Sequence, residues 1–302
     1  MFLLAHLSDL HATRPEPAGV GELFGKRGLS WLSWRSRGRE SGRTEVLEAV
    51  LRDLENYAPT HVAVTGDLTH LGLPGELREA ESWLRRIGPP ERVSVVPGNH
   101  DALVGPAGIR TGLWSDYTSS RHALECPRFA SSSELPALRT AGPVALVGLS
   151  SARPTPPLLA TGKLGGTQLA RLEATLCTLG KAGWIRVVLV HHPPTPGGSP
   201  RRRLTDAAAL RRILARTGAE LVLHGHAHRA VFATLPGPQG PIPAVGAPSA
   251  SAPAPHDPAR RAGYHLFSIQ PREGSCRPPA IHVTTRTVDP ASGRFQAAWR
   301  AL

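Results

Sequence analysis

The chain has 302 residues, 40% of them hydrophobic and 19% charged. That balance excludes a disordered chain, and the length suits one large domain or two small ones. Lysine and arginine number 35 against 23 acids, a formal +12, which favours phosphate compounds, nucleic acid or an anionic membrane surface as partners without choosing among them.

Cys126, Cys177 and Cys276 are odd in number and far apart, which argues against a disulfide framework or a cysteine zinc site and fits a reducing compartment. The opening run MFLLAHLSDLH is too short for a signal-peptide core, and no stretch approaches the ~20 apolar residues of a membrane span. The expected location is the cytoplasm, with any membrane contact peripheral, at the inner face.

In chain order, Phe2–Leu7 reads as a buried strand and Thr44–Asn56 as a helix with Val46, Leu47, Val50, Leu51 and Leu54 on one stripe. His61–Thr65 is the next strand, followed by a helix over Gly75–Ile87 and strands over Arg92–Val96 and Val144–Leu149. A helix over Thr167–Leu179, a strand over Arg186–Val190, a helix over Asp206–Thr217 capped by Thr205 or Asp206, and a strand over Glu220–Leu223 complete the alternation. The tail is strand-like at Ile242–Val245, Tyr264–Ile269 and Ile281–Thr287. Arg14–Arg43, Ala102–Ala141, Arg153–Gly166, Pro193–Leu204 and Gly246–Arg261 read as loops. The alternation predicts an α/β fold in one domain, 1–302, with a motif-bearing core over 1–235 and a tail, 236–302, that completes a second sheet packed on the first.

Polar clusters stand where the predicted core strands end: Ser8-Asp9-Leu10-His11, Gly66-Asp67, Gly98-Asn99-His100-Asp101, His191-His192-Pro193 and His224-Gly225-His226-Ala227-His228. In open α/β folds the carboxyl ends of strands converge on the ligand crevice. If the chain stays extended, Asp9 and His11 point the same way and reach one ion, and His226 and His228 aim side by side. A set of carboxylate, amide oxygen and imidazole suits Mn, Fe, Zn or Co rather than Ca or Mg. Each motif is common alone; all five in this order form a specific signal. His192 reads as a neighbour that supports a ligand and His224 as packed or hydrogen bonded; His70, three residues past Asp67, is within reach of the pocket but reads first as a loop-surface residue. His6, His61, His122, His256, His265 and His282 show no partner in the sequence.

With these motifs the chain resembles the calcineurin-like metallophosphoesterase superfamily, whose pattern DxH…GD…GNH[DE]…H…GHxH is complete from Asp9 to His228. The resemblance covers about three quarters of the chain and implies two packed mixed sheets flanked by helices. It implies two divalent transition-metal ions, one held by Asp9, His11, Asp67 and His228, the other by Asp67, Asn99, His191 and His226, with Asp67 bridging. Two dications roughly 3.5–4 Å apart can activate a water and clamp the phosphoryl oxygens of an in-line displacement. His100 is then the residue that donates a proton to, or stabilises charge on, the leaving oxygen, and Asp101 the residue that orients it through a hydrogen bond.

The LSDxH start, the stretch Val64–Gly72, VPGNHD and HHPP look most like the cyclic-nucleotide phosphodiesterase-like branch, which makes a small nucleotide-type phosphodiester the expected substrate. The histidine in GNHD argues against the UDP-diacylglucosamine pyrophosphatases, where arginine is usual. A second candidate is a lipid-linked or membrane-proximal phosphoester, motivated by Gly19–Arg43, where Leu23, Phe24, Leu29, Trp31, Leu32 and Trp34 alternate with six basic residues. That segment is read as a core element, a lid over the site, or a contact with an anionic membrane. A nuclease or nucleic-acid binder is disfavoured, because no aromatic platform is interleaved with Arg201, Arg202, Arg203, Arg211 and Arg212.

Overall fold

A computed structural model of the protein describes residues 1–16, 19–36, 42–103, 114–120, 135–253, 257–271, 279–289 and 292–302. Most of the expected loop at 102–141 lies outside these residues, as do Cys126, Cys276, His122 and His256; Cys177 is a free, exposed thiol.

The strands form two six-stranded mixed sheets. Sheet one runs β12 (Phe295–Ala301), β11 (Ala280–Val288), β10 (Gly263–Gln270), β1 (Phe2–Leu7), β2 (His61–Val64), β3 (Val93–Val95). Sheet two runs β4 (Ala137–Ala141), β5 (Val144–Leu149), β6 (Ile185–Val190), β7 (Leu221–His224), β9 (Ile242–Gly246), β8 (Val231–Leu235). The helices are α1 (Lys26–Ser36), α2 (Arg43–Glu55), α3 (Pro74–Ile87), α4 (Ser115–Thr118), α5 (Gly166–Lys181) and α6 (Ala207–Thr217).

Side-chain alternation builds the layers. Ala5 and Leu7 of β1 join Val62, Val64, Val93 and Val95 under the apolar stripes of α2 (Leu47, Val50, Leu51, Leu54) and α3 (Leu77, Ala80, Trp83, Leu84). Phe2 and Leu4, of opposite parity, meet Val144, Leu146, Val187, Leu189, Leu221 and Leu223 between the sheets. The other faces of β5–β7 (Val147, Leu149, Val188, Val190, Val222) pack on Leu172, Leu176 and Leu179 of α5 and on Leu210 and Leu214 of α6. The result is helix, sheet, sheet, helix. Central strands covered on both faces need apolar residues at nearly every position, which is why they stand out as unbroken runs in the sequence.

Two expectations are corrected. The tail does not fill one sheet: β9 pairs with β7 in sheet two, while β10, β11 and β12 extend sheet one from the open side of β1. β10 runs antiparallel to β1, so no crossover is needed. In addition, the expected loop at 14–43 contains helix α1. The sequence reading places no strand at β4, β8 or β12; they are edge or near-edge strands, and β8 and β12 are largely half-buried or exposed.

Candidate metal centre

β1, β2 and β3 run parallel to one another in sheet one, as do β5, β6 and β7 in sheet two. The clusters that follow β1, β2, β3, β6 and β7 therefore meet at one end of the sandwich. Backbone bonds lace them: Asp9 N donates to Gly66 O (2.9 Å), His11 N to Asp67 O (3.1 Å) and Gly225 N to His191 O (3.0 Å). Glycine is required where strands 2 and 3 approach: Gly66 has φ +87, and a Cβ on Gly98 would collide with the Asp67 carboxylate.

The ligand atoms of Asp9, His11, Asp67 and His228 all lie within 4.8 Å of one another, as do those of His191, His192 and His226. Asp67 Oδ2 stands 3.8 Å from His11 Nε2 and 3.3 Å from His191 Nε2, so one carboxylate faces both groups. Asn99 Oδ1 lies 3.2 Å from His191 Nε2, which brings the amide to the second group. His226 approaches His191 (3.2 Å) whereas His228 approaches Asp9 (3.1 Å). The two do not aim side by side, because the GHxH turn is not extended: their φ angles are +67 and +52.

That backbone state recurs across the site. Among the described residues seven non-glycine residues have positive φ, and five of them are Asp9, His11, Asp67, His226 and His228. A left-handed conformation is uncommon for such residues and persists only when the surroundings impose it, which is typical of built sites.

The imidazoles are aimed by their other nitrogens. His11 Nδ1 donates to Thr69 O (2.8 Å) and His191 Nδ1 to Thr65 O (2.6 Å), so that each Nε2 faces the cluster and offers its lone pair there once the ring is neutral. His226 Nε2 is buried and has no hydrogen-bond partner among the described residues. His192 is different: Nε2 faces Ala160 O (3.1 Å) and Nδ1 faces the Ser151 hydroxyl (2.7 Å). Both nitrogens are engaged by these partners, unlike the Nε2 atoms that face the cluster.

Carboxylates and imidazoles set one another's charge across the site. Burial opposes charge on His191, yet the Asp67 carboxylate carries it up to about 9; Asp9 raises His228 against burial in the same way. Burial opposes charge on Asp67 as well, and His191 and His100 hold it well below the usual carboxylate range. Burial and neighbouring imidazoles push His11 well down and His226 to about 3, so these are neutral and ready to coordinate. Mixed carboxylate, amide and imidazole donors, aimed and partly orphaned, fit divalent transition-metal ions.

His100 is half-buried and lines the same cavity, of about 660 Å³. Its Nδ1 donates to His70 O (2.6 Å), which turns Nε2 away from the backbone, and its backbone N donates to Asp67 Oδ1 (2.8 Å). His70 is not a surface residue: it lines the cavity and stacks on His11 at 5.1 Å.

Asp101 does not touch the His100 ring. Its carboxylate accepts from the amides of Asp67 (2.9 Å), Leu68 (3.0 Å), Thr69 (3.0 Å) and Gly98 (2.9 Å) and from the Thr69 hydroxyl (3.0 Å). The expected orienting role is therefore wrong; Asp101 knots the loops after β2 and β3. Burial and the Asp67 charge push its pKa up to about 7, against the pull of the amides.

Sequence reasoning missed Glu76, a second buried carboxylate that takes Thr13 Oγ1 (2.8 Å) and the amides of His70, Leu71 and Leu73. Its signal was an acid in the first turn of α3. Arg43 was assigned to a basic segment only; it opens α2, lines the cavity and bonds Ser251 Oγ at 3.0 Å.

Two packed sheets with carboxylates and imidazoles gathered at the strand ends, one carboxylate shared, define a metal-dependent phosphoester hydrolase. The chain belongs to the calcineurin-like phosphoesterase family, whose family model matches residues 2–230. Similar solved structures include a dimetal phosphatase from Danio rerio (14% identity, TM-score 0.55, covering 99% of this chain and 98% of that one). Others are purple acid phosphatase PPD1 from yellow lupin (12%, 0.53, 99% and 53%) and the NAD nucleotidase of Haemophilus influenzae (14%, 0.51, 98% and 53%). At these identities the likeness is one of fold, and the chain spans about half of the last two. No curated protein matches the sequence.

Proposed function

We propose that the protein hydrolyses a phosphodiester, with Asp9, His11, Asp67 and His228 holding one divalent ion and Asp67, Asn99, His191 and His226 the other. The observation that carries this reading is the position of Asp67 Oδ2 between His11 and His191. When bound, the ions supply Lewis-acid charge for the phosphoryl oxygens and lower the pKa of the attacking water. The chain itself does the rest. Thr65 and Thr69 carbonyls fix the ligand tautomers, and His70 O holds Nδ1–H of His100, which leaves Nε2 as the atom that hands a proton to the departing alkoxide.

For the substrate, the motif resemblance supports a small nucleotide-type diester such as a cyclic nucleotide. A lipid-linked or membrane-proximal phosphoester is the second reading, favoured by the apolar side chains on the cavity walls. The manganese-loaded protein, assayed side by side on cyclic nucleotides, phosphomonoesters, phospholipid derivatives and single-stranded DNA, separates them. Turnover of monoesters alone overturns the diesterase assignment.

A further inference from the structure

The cavity has a second chemistry besides its ligand cluster. One wall is α1, which contributes Lys26, Leu29, Ser30, Ser33 and Trp34; the facing wall is the loop Pro157–Ala160. α1 is pinned rather than loosely laid. Trp31 packs on Leu71, Leu73 and Leu103. Arg27 donates to the carbonyls of Leu71 (3.1 Å) and Gly72 (2.7 Å). Lys26 Nζ spans to the facing loop, reaching Thr155 Oγ1 (2.5 Å) and Leu159 O (2.7 Å).

Among the described residues eight large apolar side chains are exposed; Leu29 (55%) and Leu158 (83%) line the two walls, Leu32 (57%) belongs to α1 and Phe24 (79%) stands just before it. Leu29 and Leu32, one helical turn apart, lie on one edge of α1. Scattered exposed leucines need no explanation; two that face one cavity from opposite walls, with further apolar side chains on and next to α1, do. The same cavity is lined by Lys26, Arg43, Arg202 and Arg260. An anionic group is thus served beside an apolar one.

We propose that the cleft between α1 and the Pro157–Ala160 loop binds an aliphatic chain carried by the substrate, so that the natural substrate is an amphiphilic phosphoester. This rests on the phosphoesterase reading of the metal centre. It makes Leu29 and Leu158 specificity determinants, and the basic side chains the recognition of the polar head. A chain laid between the walls removes apolar surface from water on both partners, and each buried methylene strengthens binding.

The test is calorimetric titration of the manganese-loaded protein with ethyl phosphate and octyl phosphate, at concentrations where both are monomeric. Octyl phosphate should bind at least tenfold more tightly. The double variant Leu29→Ser, Leu158→Ser should shrink that ratio severalfold and leave ethyl phosphate affinity and metal content unchanged, since both side chains are exposed. Equal affinities (including no binding of either), or a ratio that the variant does not alter, overturn the proposal whatever the metal content. Sedimentation with phosphatidylglycerol vesicles combined with equal affinities would assign the apolar rim to a bilayer and overturn it too. Failure of the metal centre is read separately, by elemental analysis.

Discussion

Asp67 Oδ2 and His191 Nε2 lie 3.3 Å apart, both buried, at the junction of the two sheets. The pair joins a strand end of sheet one to a strand end of sheet two, and the shared carboxylate makes both ion sites depend on one side chain. Asp67→Ala should therefore lose both metals, not one. Elemental analysis of the purified variant checks this; retention of a full complement would remove Asp67 from the bridging position.

His100→Ala should keep both metals and lose roughly 10²–10⁴-fold in rate, the usual worth of a positioned acid. The loss should be small for an aryl ester, whose leaving group needs no proton, and large for an alkyl ester. Equal losses on the two would mean that His100 is not the donor.

Asp101→Ala should act on stability first. The carboxylate satisfies four buried amides, and leaving them unpaired should cost roughly 3 kcal/mol or more. Thermal unfolding is expected to show a drop of several degrees, with weakened metal retention. A variant as stable as the parent but slower would restore a direct role in the chemistry.

Metal uptake should depend on pH in a defined direction. In the metal-free protein Asp67 raises His191 to about 9, and Asp9 raises His228 as well, each against burial. Because the folded pKa of His191 exceeds its ordinary 6.5, this pairing stabilises the apo fold fully below about 6.5 and ceases to do so as pH rises through about 9. A ligating imidazole must be neutral, so binding at pH 7 should expel protons and tighten toward pH 9. Titration in buffers of different ionisation enthalpy measures the release; affinity independent of pH from 6 to 9 would contradict it.

The five strand-end clusters were legible because buried parallel strands leave continuous apolar runs, and the residues that interrupt them are the functional ones. Helices α2, α3, α5 and α6 were legible for a similar reason, each carrying one apolar stripe. Helix α1 was not, because Gly25 and Gly28 depress its propensity and its support is remote: Trp31 on Leu71 and Leu103, Lys26 on Leu159. The side-by-side aim of His226 and His228 failed because spacing of two implies a common direction only in extended chain, and here φ is positive. The role of Asp101 was hidden because three of its four amide partners lie more than thirty residues away, which no side-chain pattern records.

The family match stops at residue 230, short of β10 to β12. β10 is nonetheless the neighbour that makes β1 an interior strand, and Tyr264 and Arg286 both grip Asp53 of α2 from the tail. Cutting the chain after 230 would turn β1, the strand that presents Asp9 and His11, into a sheet margin with unpaired amides and carbonyls and bare Leu4 beside it. Such margins invite pairing with other chains. A fragment bounded by the motifs would thus retain Asp9 through His228 and is expected to aggregate, so the residues after 230 belong to the same folded unit as the candidate ligands.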